Sequence, residues 1–400
     1  MVAPKPASLP PVADEPLAPS GAGLPLVADL DARIAAALAR VDRMLPQFDP
    51  WFPAPSSESN VYAPIDNVEW TNGFWTGMVW LAWEFTGAAK YRALAERNVT
   101  SFAQRAQARI NTDHHDLGFL YTLSACAAHR LTGSAEGRAA GLDAARQLLE
   151  RFDPVAGVIQ AWGDRNDPAQ RGRMIIDCNL NLPLLYWASA ETGEARFAEA
   201  ANRHLGQAAR LLVRPDASTY HTFYVDIVTG LPRHGSTHQG FSDDSSWARG
   251  QAWGIYGFAL GARLTGEAAY ADLARRLANH FLNRLPEDGI CCWDLIFTDN
   301  DETPRDSSAA AIAACGLLEL ASLLPICDPA REAYARWAWR IVARLGDAYL
   351  APLEGSNALL LHGVYHMPNK AGVDEACIWG DYFYLEALMR LRRVWRPYWL

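Results

Sequence analysis

The side chains best able to do chemistry in this 400-residue chain are acidic, and they recur at the starts of apolar helical patterns. Asn72, Asp116, Asp177, Asp244, Asp306 and Asp381 each fall just before or inside a first turn. Asp and Asn are ordinary N-caps, and capping accounts for most of the six. If the helices that follow run in one direction, however, all six polar ends meet at one rim. Six helix N-termini would then point partial positive charge there, which favours an anion. Two carboxyl groups on such a rim are the best candidate for acid–base catalysis.

Sugar recognition needs flat apolar faces beside polar groups, and the segments around the same starts carry Trp70, Trp75, Trp162, Trp247, Trp253 and Trp379. Trp80, Trp83 and Trp187 fall mid-helix and are assigned to the core. The run from Thr112 to Phe119 contains adjacent histidines, His114 and His115, which project in different directions and lack an HExxH or third-ligand spacing. His234 and His238 stand four apart in a Gly-rich loop and do no better. No metal and no cofactor are expected, since neither a GxGxxG nor a GxxxxGK fingerprint occurs in strand-to-helix context, and no GxSxG elbow is present.

What must position these residues is a repeat. A Thr-Gly step ends four apolar patterns, at Thr86-Gly87, Thr132-Gly133, Thr192-Gly193 and Thr265-Gly266, and glycine after a helix is the usual left-handed cap. The pattern before each step is apolar nearly all round; the one after it is amphipathic, as over 268–282. Inner helices are therefore predicted near 73–86, 117–131, 178–191, 245–264, 307–324 and 380–394. Outer ones are predicted near 28–45, 90–110, 137–152, 195–213, 268–285 and 329–347. Asp116, Asp177, Asp244, Asp306 and Asp381 are spaced 61, 67, 62 and 75 residues apart, too unevenly for an open solenoid. The prediction is an all-α fold, an (α/α)6 barrel of six hairpins, with strands confined to short pieces such as 219–228.

Residues 1–26 are rich in proline and have no apolar signal core. They are expected to form a flexible arm ahead of one catalytic domain, 27–400. The longest apolar stretch, 309–327, contains Glu319 and Pro325 and reads as a buried helix, so no membrane partner is expected. A net charge of -9 without a basic run argues against nucleic acid. Seven cysteines, an odd number, several of them inside apolar runs, fit a reducing, cytoplasmic setting. A monomer or homodimer is expected.

Several stretches together resemble the unsaturated glucuronyl hydrolases, family 88 of the glycoside hydrolases. They are Trp70-Thr-Asn-Gly-Phe-Trp75, His115-Asp-Leu-Gly-Phe119, Ile175-Ile-Asp-Cys-Asn-Leu-Asn181, the run from His238 to Trp253, and Trp379-Gly-Asp-Tyr-Phe383. The resemblance spans residues 30–395 and implies the same barrel. It also implies a substrate: an oligosaccharide left by a polysaccharide lyase, ending in a uronate with a C4=C5 double bond. Ordinary glycosidases stabilise charge at C1; here the resemblance implies hydration of the vinyl ether instead.

By the same resemblance Asp177 is the general acid and base and Asp116 its partner. A second carboxylate nearby would keep one proton on the pair. His221 and Gln239 would contact the reacting face, Gln239 helping to hold the water. Arg249, Trp247 and Trp253 would line the pocket, Trp70 and Trp162 would stack on sugar, and Asn72 and Lys370 would bind substrate. Members that take sulfated fragments carry serines with a lysine in the loop 362–370. Here Lys370 is present, but Tyr365, Met367 and Pro368 supply no hydroxyl-rich cradle. The alternatives are the related unsaturated rhamnogalacturonyl hydrolase and, from other classes, a sugar epimerase or a non-catalytic sugar-binding protein on the same barrel.

Overall fold

Helices alternate between an inner and an outer ring in the computed structural model, which describes residues 9–298 and 302–400. The outer helix α1 (Val27–Met44) is followed by the inner α2 (Asn72–Thr86) and the outer α3 (Ala89–Ala108). The next inner stave is α4 (Leu117–Tyr121), carried through one π turn, Thr122–Cys126, into α5 (Ala127–Thr132); α6 (Ala135–Glu150) covers it. A 3-10 turn, Ile176–Leu180, leads into inner α7 (Pro183–Thr192) and outer α8 (Ala195–Leu211). Then come α9 (Ala248–Thr265) with α10 (Ala268–Leu282), α11 (Ser307–Leu323) with α12 (Pro329–Ala348), and inner α13 (Ile378–Arg392). Helix α13 packs on both α11 and α2, and α1 packs behind α13, so the ring closes. This is the (α/α)6 barrel, with helix boundaries mostly within two residues of those predicted.

The local causes are legible. All four Thr-Gly steps end their helices as expected, with Gly87, Gly133, Gly193 and Gly266 at φ 69–75°. The threonine hydroxyl donates to the carbonyl four residues back, as Thr86 Oγ1 does to Ala82 O at 2.7 Å, and accepts the N–H of Ala88 at 3.1 Å. One side chain thus both ends the inner helix and starts the outer one.

Inner helices meet at glycines. A Cβ on Gly73 would lie 2.1 Å from Phe119 O, on Gly118 2.3 Å from Asn181 Cα, and on Gly257 2.4 Å from Asn179 Cβ. On Gly316 it would lie 3.0 Å from Tyr256 N, on Gly380 2.9 Å from Ser308 Cβ, and on Gly77 2.7 Å from the Tyr382 ring. At each of these junctions a side chain would crowd the facing helix, most severely at Gly73, Gly118 and Gly257.

The capping account of the six helix starts is corrected. Asp306 caps α11, accepting from the N–H groups of Ser308 and Ala309. Asn72 instead accepts the Glu69 N–H at 2.8 Å, and Asp116 stands at the start of α4 without capping it. Asp381 lies inside α13, fully buried, where it accepts from Leu359 N, Leu360 N and Tyr62 Oη. Asp244 falls in an exposed turn ahead of α9. These side chains tie loops to the barrel more often than they cap helices.

Paired two-stranded pieces β1 (Phe52–Pro53) and β2 (Pro64–Ile65), and β3 (Phe152–Asp153) and β4 (Val158–Ile159), decorate the loops. A three-stranded sheet of β5 (Arg173–Ile175), β6 (Thr222–Val225) and β7 (Pro232–Ser236) and the hairpin β8 (Gly363–His366) with β9 (Ala371–Glu375) build one mouth. The proline-rich segment was expected to be a flexible arm. Its residues 1–8 lie outside the described residues, and from Leu9 onward it runs extended over the outer helices. Arg276 donates to Val12 O, Asn279 to Glu15 O at 2.7 Å, Trp337 to Ala18 O at 2.7 Å and Arg340 to Ser20 O at 2.7 Å. At the other mouth Trp399 is buried, stacks on Phe383 and donates to Glu386 at 2.9 Å. Among the described residues no helix is long and apolar enough to cross a membrane.

Candidate active site

A cavity of about 420 Å³ opens at the mouth where α2, α4 and α9 begin. Asp116 and Asp177 lie on its floor, delivered by neighbouring staves. Asp116 is held at the head of α4, where Leu120 N donates to Asp116 O at 3.1 Å and the preceding His115 N donates to Ala161 O at 2.7 Å. Asp177 follows β5 at the start of the 3-10 turn, and Ile176 N donates to His221 O at 3.1 Å. The Gly118–Asn181 contact draws the two segments together, with Phe119 N donating to Asn181 Oδ1 at 2.8 Å.

His115 Nε2 stands 3.3 Å from Asp116 Oδ1 and 3.5 Å from Asp177 Oδ1, and one ligand atom from each of the three residues lies within 4.8 Å of the others. The carboxyl side chains are only 12% and 16% exposed, so solvent reaches them through the cavity. Burial lifts the Asp177 carboxyl well above the ordinary range, and the Asp116 charge adds to it against the opposing pull of Arg249. Burial also resists ionisation of Asp116. The imidazoles of His115 and His114 and the Arg151 guanidinium outweigh it, and the Asp116 pKa lies below the usual value. Burial pushes His115 down to about 4, so near neutrality it offers an Nε2–H dipole to the pair rather than a full charge. The two environments therefore push apart, favouring a proton on Asp177 and ionisation of Asp116.

The walls are aromatic and fixed. Trp70 stacks on Trp379 at 5.2 Å and donates to Tyr365 Oη at 3.1 Å. Opposite, Trp162 lies under the Arg173 guanidinium at 3.7 Å and against His238 at 4.9 Å. Trp247 and Trp253 complete the lining. Buried His221 has a pKa lowered to about 3, chiefly by desolvation. Its hydrogen bonds form a chain. Gln239 Nε2 donates to Tyr365 O at 2.7 Å, which orients the amide so that its Oε1 accepts from His221 Nε2 at 3.2 Å, and Thr222 Oγ1 donates to His221 Nδ1 at 2.6 Å. Gln239 is thereby presented with one N–H left for a ligand.

Of the residues singled out from sequence, the cavity brings together Asp116, Asp177, Trp70, Trp162, His221, Gln239, Trp247, Arg249 and Trp253. Asn72 is buried behind Trp70 and holds a backbone N–H, and Lys370 is exposed outside the lining, where its neighbour Asn369 takes part. Trp75 and Trp379 are fully buried in the core. Sequence reasoning missed His115, His238, Tyr365 and His366. The His114-His115 doublet directly before Asp116 was the available signal for the first; it was weighed only as a metal motif.

A proton kept between two carboxyls beneath flat apolar walls is what cleavage of a sugar linkage demands, and the class is that of a glycoside hydrolase. A family model described as Glycosyl Hydrolase Family 88 matches residues 45–343, and the chain belongs to that family. It is 47% identical over 372 residues to the unsaturated chondroitin disaccharide hydrolase of Streptococcus pyogenes serotype M1, covering 93% of each chain. It is 47% identical over 367 residues to the unsaturated glucuronyl hydrolase of Bacillus sp. (strain GL1), covering 92% of this chain and 97% of that one. The crystal structure of unsaturated glucuronyl hydrolase from Streptococcus agalactiae superposes with a TM-score of 0.96 at 43% identity, over 98% of this chain and 100% of that one.

Proposed function

We propose that the protein removes a 4,5-unsaturated glucuronic acid from the non-reducing end of lyase-generated oligosaccharides by hydrating its vinyl ether, with Asp177 as general acid and base. The carrying observation is the pair itself: Asp177, drawn toward its neutral form, and Asp116, drawn toward its ionised form, both within reach of the His115 imidazole on the floor of a cavity of disaccharide scale. Asp177 gives its proton to C4, and positive charge develops on C5 and the ring oxygen, where ionised Asp116 stabilises it. Water held by Gln239, whose amide His221 helps to fix, adds to C5 and returns a proton to Asp177. The C5 hemiketal opens by breaking its bond to the ring oxygen. That oxygen becomes a hydroxyl on C1, which collapses to an aldehyde and releases the remaining sugar. One water is consumed, and the Asp177 proton is restored.

The named activities of the relatives favour the glucuronyl over the rhamnogalacturonyl reaction. The loop from Tyr365 to Lys370 offers no hydroxyl cradle, and Lys370 is exposed and not among the residues lining the cavity, which favours unsulfated sugars. Incubation with unsulfated and 6-sulfated unsaturated chondroitin disaccharides and with an unsaturated rhamnogalacturonan disaccharide, followed by ultraviolet absorbance of the conjugated uronate, tests both points. The band should vanish fastest with the unsulfated chondroitin substrate. A band unchanged in all three would end the reading and leave an epimerase or a binder. Six of the seven cysteines are buried, which supports a reducing cytoplasmic setting, and light scattering would tell a monomer from a homodimer.

A further inference from the structure

Asp306 is a buried carboxylate next to the cavity that the reaction above does not use. Its side chain is fully buried and does not line the cavity. Asp306 Oδ1 accepts from Ser308 N at 3.1 Å, Ser308 Oγ at 2.5 Å and Ala309 N at 3.2 Å, while Oδ2 accepts from Arg249 Nη1 at 3.2 Å. Arg249 is otherwise bound to strand β8, donating to Val364 O and to Tyr365 O at 2.7 Å. Its guanidinium sits between the rings of Trp247, at 4.4 Å, and Trp379, at 4.9 Å. Tyr365 O is the same carbonyl that orients Gln239. Helix α11 thus fixes, through one carboxylate, both a cavity-lining cation and the strand that presents the water-binding amide.

We infer that Asp306 is a positioning residue that pins Arg249 to β8 and masks its charge, so that the proton of the catalytic pair stays on Asp177. An unmasked guanidinium beside the floor would stabilise ionised Asp177 and remove the acid the reaction needs. The other groups facing that proton are Asp116 and His115 from the head of α4, and His221, His238 and His366 from the mouth strands and loops. Arg151 acts from behind on Asp116. None of them contacts Arg249 as Asp306 does.

The inference rests on Asp177 as proton donor, and the test separates the two. Asp306→Asn keeps an oxygen for the cap but leaves Arg249 without its counter-charge. With melting behaviour checked, its kcat/KM profile should lose activity at a pH lower by ~0.5 unit or more than wild type. Arg249→Gln, slow though it will be, should move the same limb upward, because Asp306 is then the uncompensated charge. A folded Asp306→Asn protein with the wild-type profile, or both variants moving in one direction, overturns the proposal. If Asp306→Asn does not fold, the sign of the Arg249→Gln shift decides alone, a downward or absent shift being fatal. Near-full turnover by Asp177→Asn would instead sink the donor assignment itself.

Discussion

At the scale of single residues, a neutral carboxyl is kept where an ionised one would be more soluble, and stability is the cost. Folding raises the Asp177 pKa above its unfolded value. The favourable term is therefore complete below the unfolded pKa and is lost as pH rises through the folded one. Asp177→Asn abolishes the donor and removes this loss. Turnover should fall about 10²–10⁴-fold, while the thermal midpoint exceeds wild type above neutrality and converges on it below about pH 4. Parallel melts across pH with single-turnover assays check both halves, and a variant that is inactive but no more stable at high pH would contradict the burial argument. The pair was legible in the sequence as two of five acidic starts, and only the resemblance chose among them. His115 was not legible, because its role comes from an imidazole nitrogen reaching two staves at once. Arg249 was read as lining the pocket, which it does, but that its Nη1 and Nη2 are held by Asp306 and β8 could not be read from sequence.

At the scale of elements, the separation of the two carboxyls is set by backbone contact between α4 and the 3-10 turn. Gly118 lies two residues after Asp116, and Asn181 four after Asp177. Gly118→Ala places a methyl 2.3 Å from Asn181 Cα, where backbone must move. The expected cost is about 1–3 kcal/mol, with kcat reduced more than KM, since the aromatic walls stand on other segments. Denaturant melts and steady-state kinetics measure the two effects, and an unchanged kcat would show that the floor tolerates the shift. Helix positions were readable from period and Thr-Gly punctuation, because both are local. What the acidic starts would do was not, since Asp381 accepts from Leu359, Leu360 and Tyr62 and Asp306 from Arg249 of α9, all distant in sequence.

At the scale of the whole molecule, the two mouths are unlike. One is open and lined for sugar; the other is filled by residues 395–400. Arg130 donates to the carbonyls of Arg396, Pro397 and Leu400, and the Trp399 ring meets Phe119 edge-on at 6.2 Å. Phe119 in turn packs on Trp70 and Trp253 of the cavity. Trp399→Ala should cost about 3–5 kcal/mol by opening a void in this column, read as a lower unfolding midpoint; a midpoint within experimental scatter of wild type would show the plug to be dispensable. Neither the plug nor the docking of the proline-rich segment could be foreseen, because short aromatic and proline-rich stretches have no period to announce where they settle.

Because a glycine lets each inner helix press close against the next, the ring has little slack to widen or narrow around a differently shaped sugar. Adaptation to new linkages is left to the mouth loops alone, and a laboratory search for altered sugar preference would do well to leave the staves untouched and randomise residues 162–171, 237–246 and 362–370.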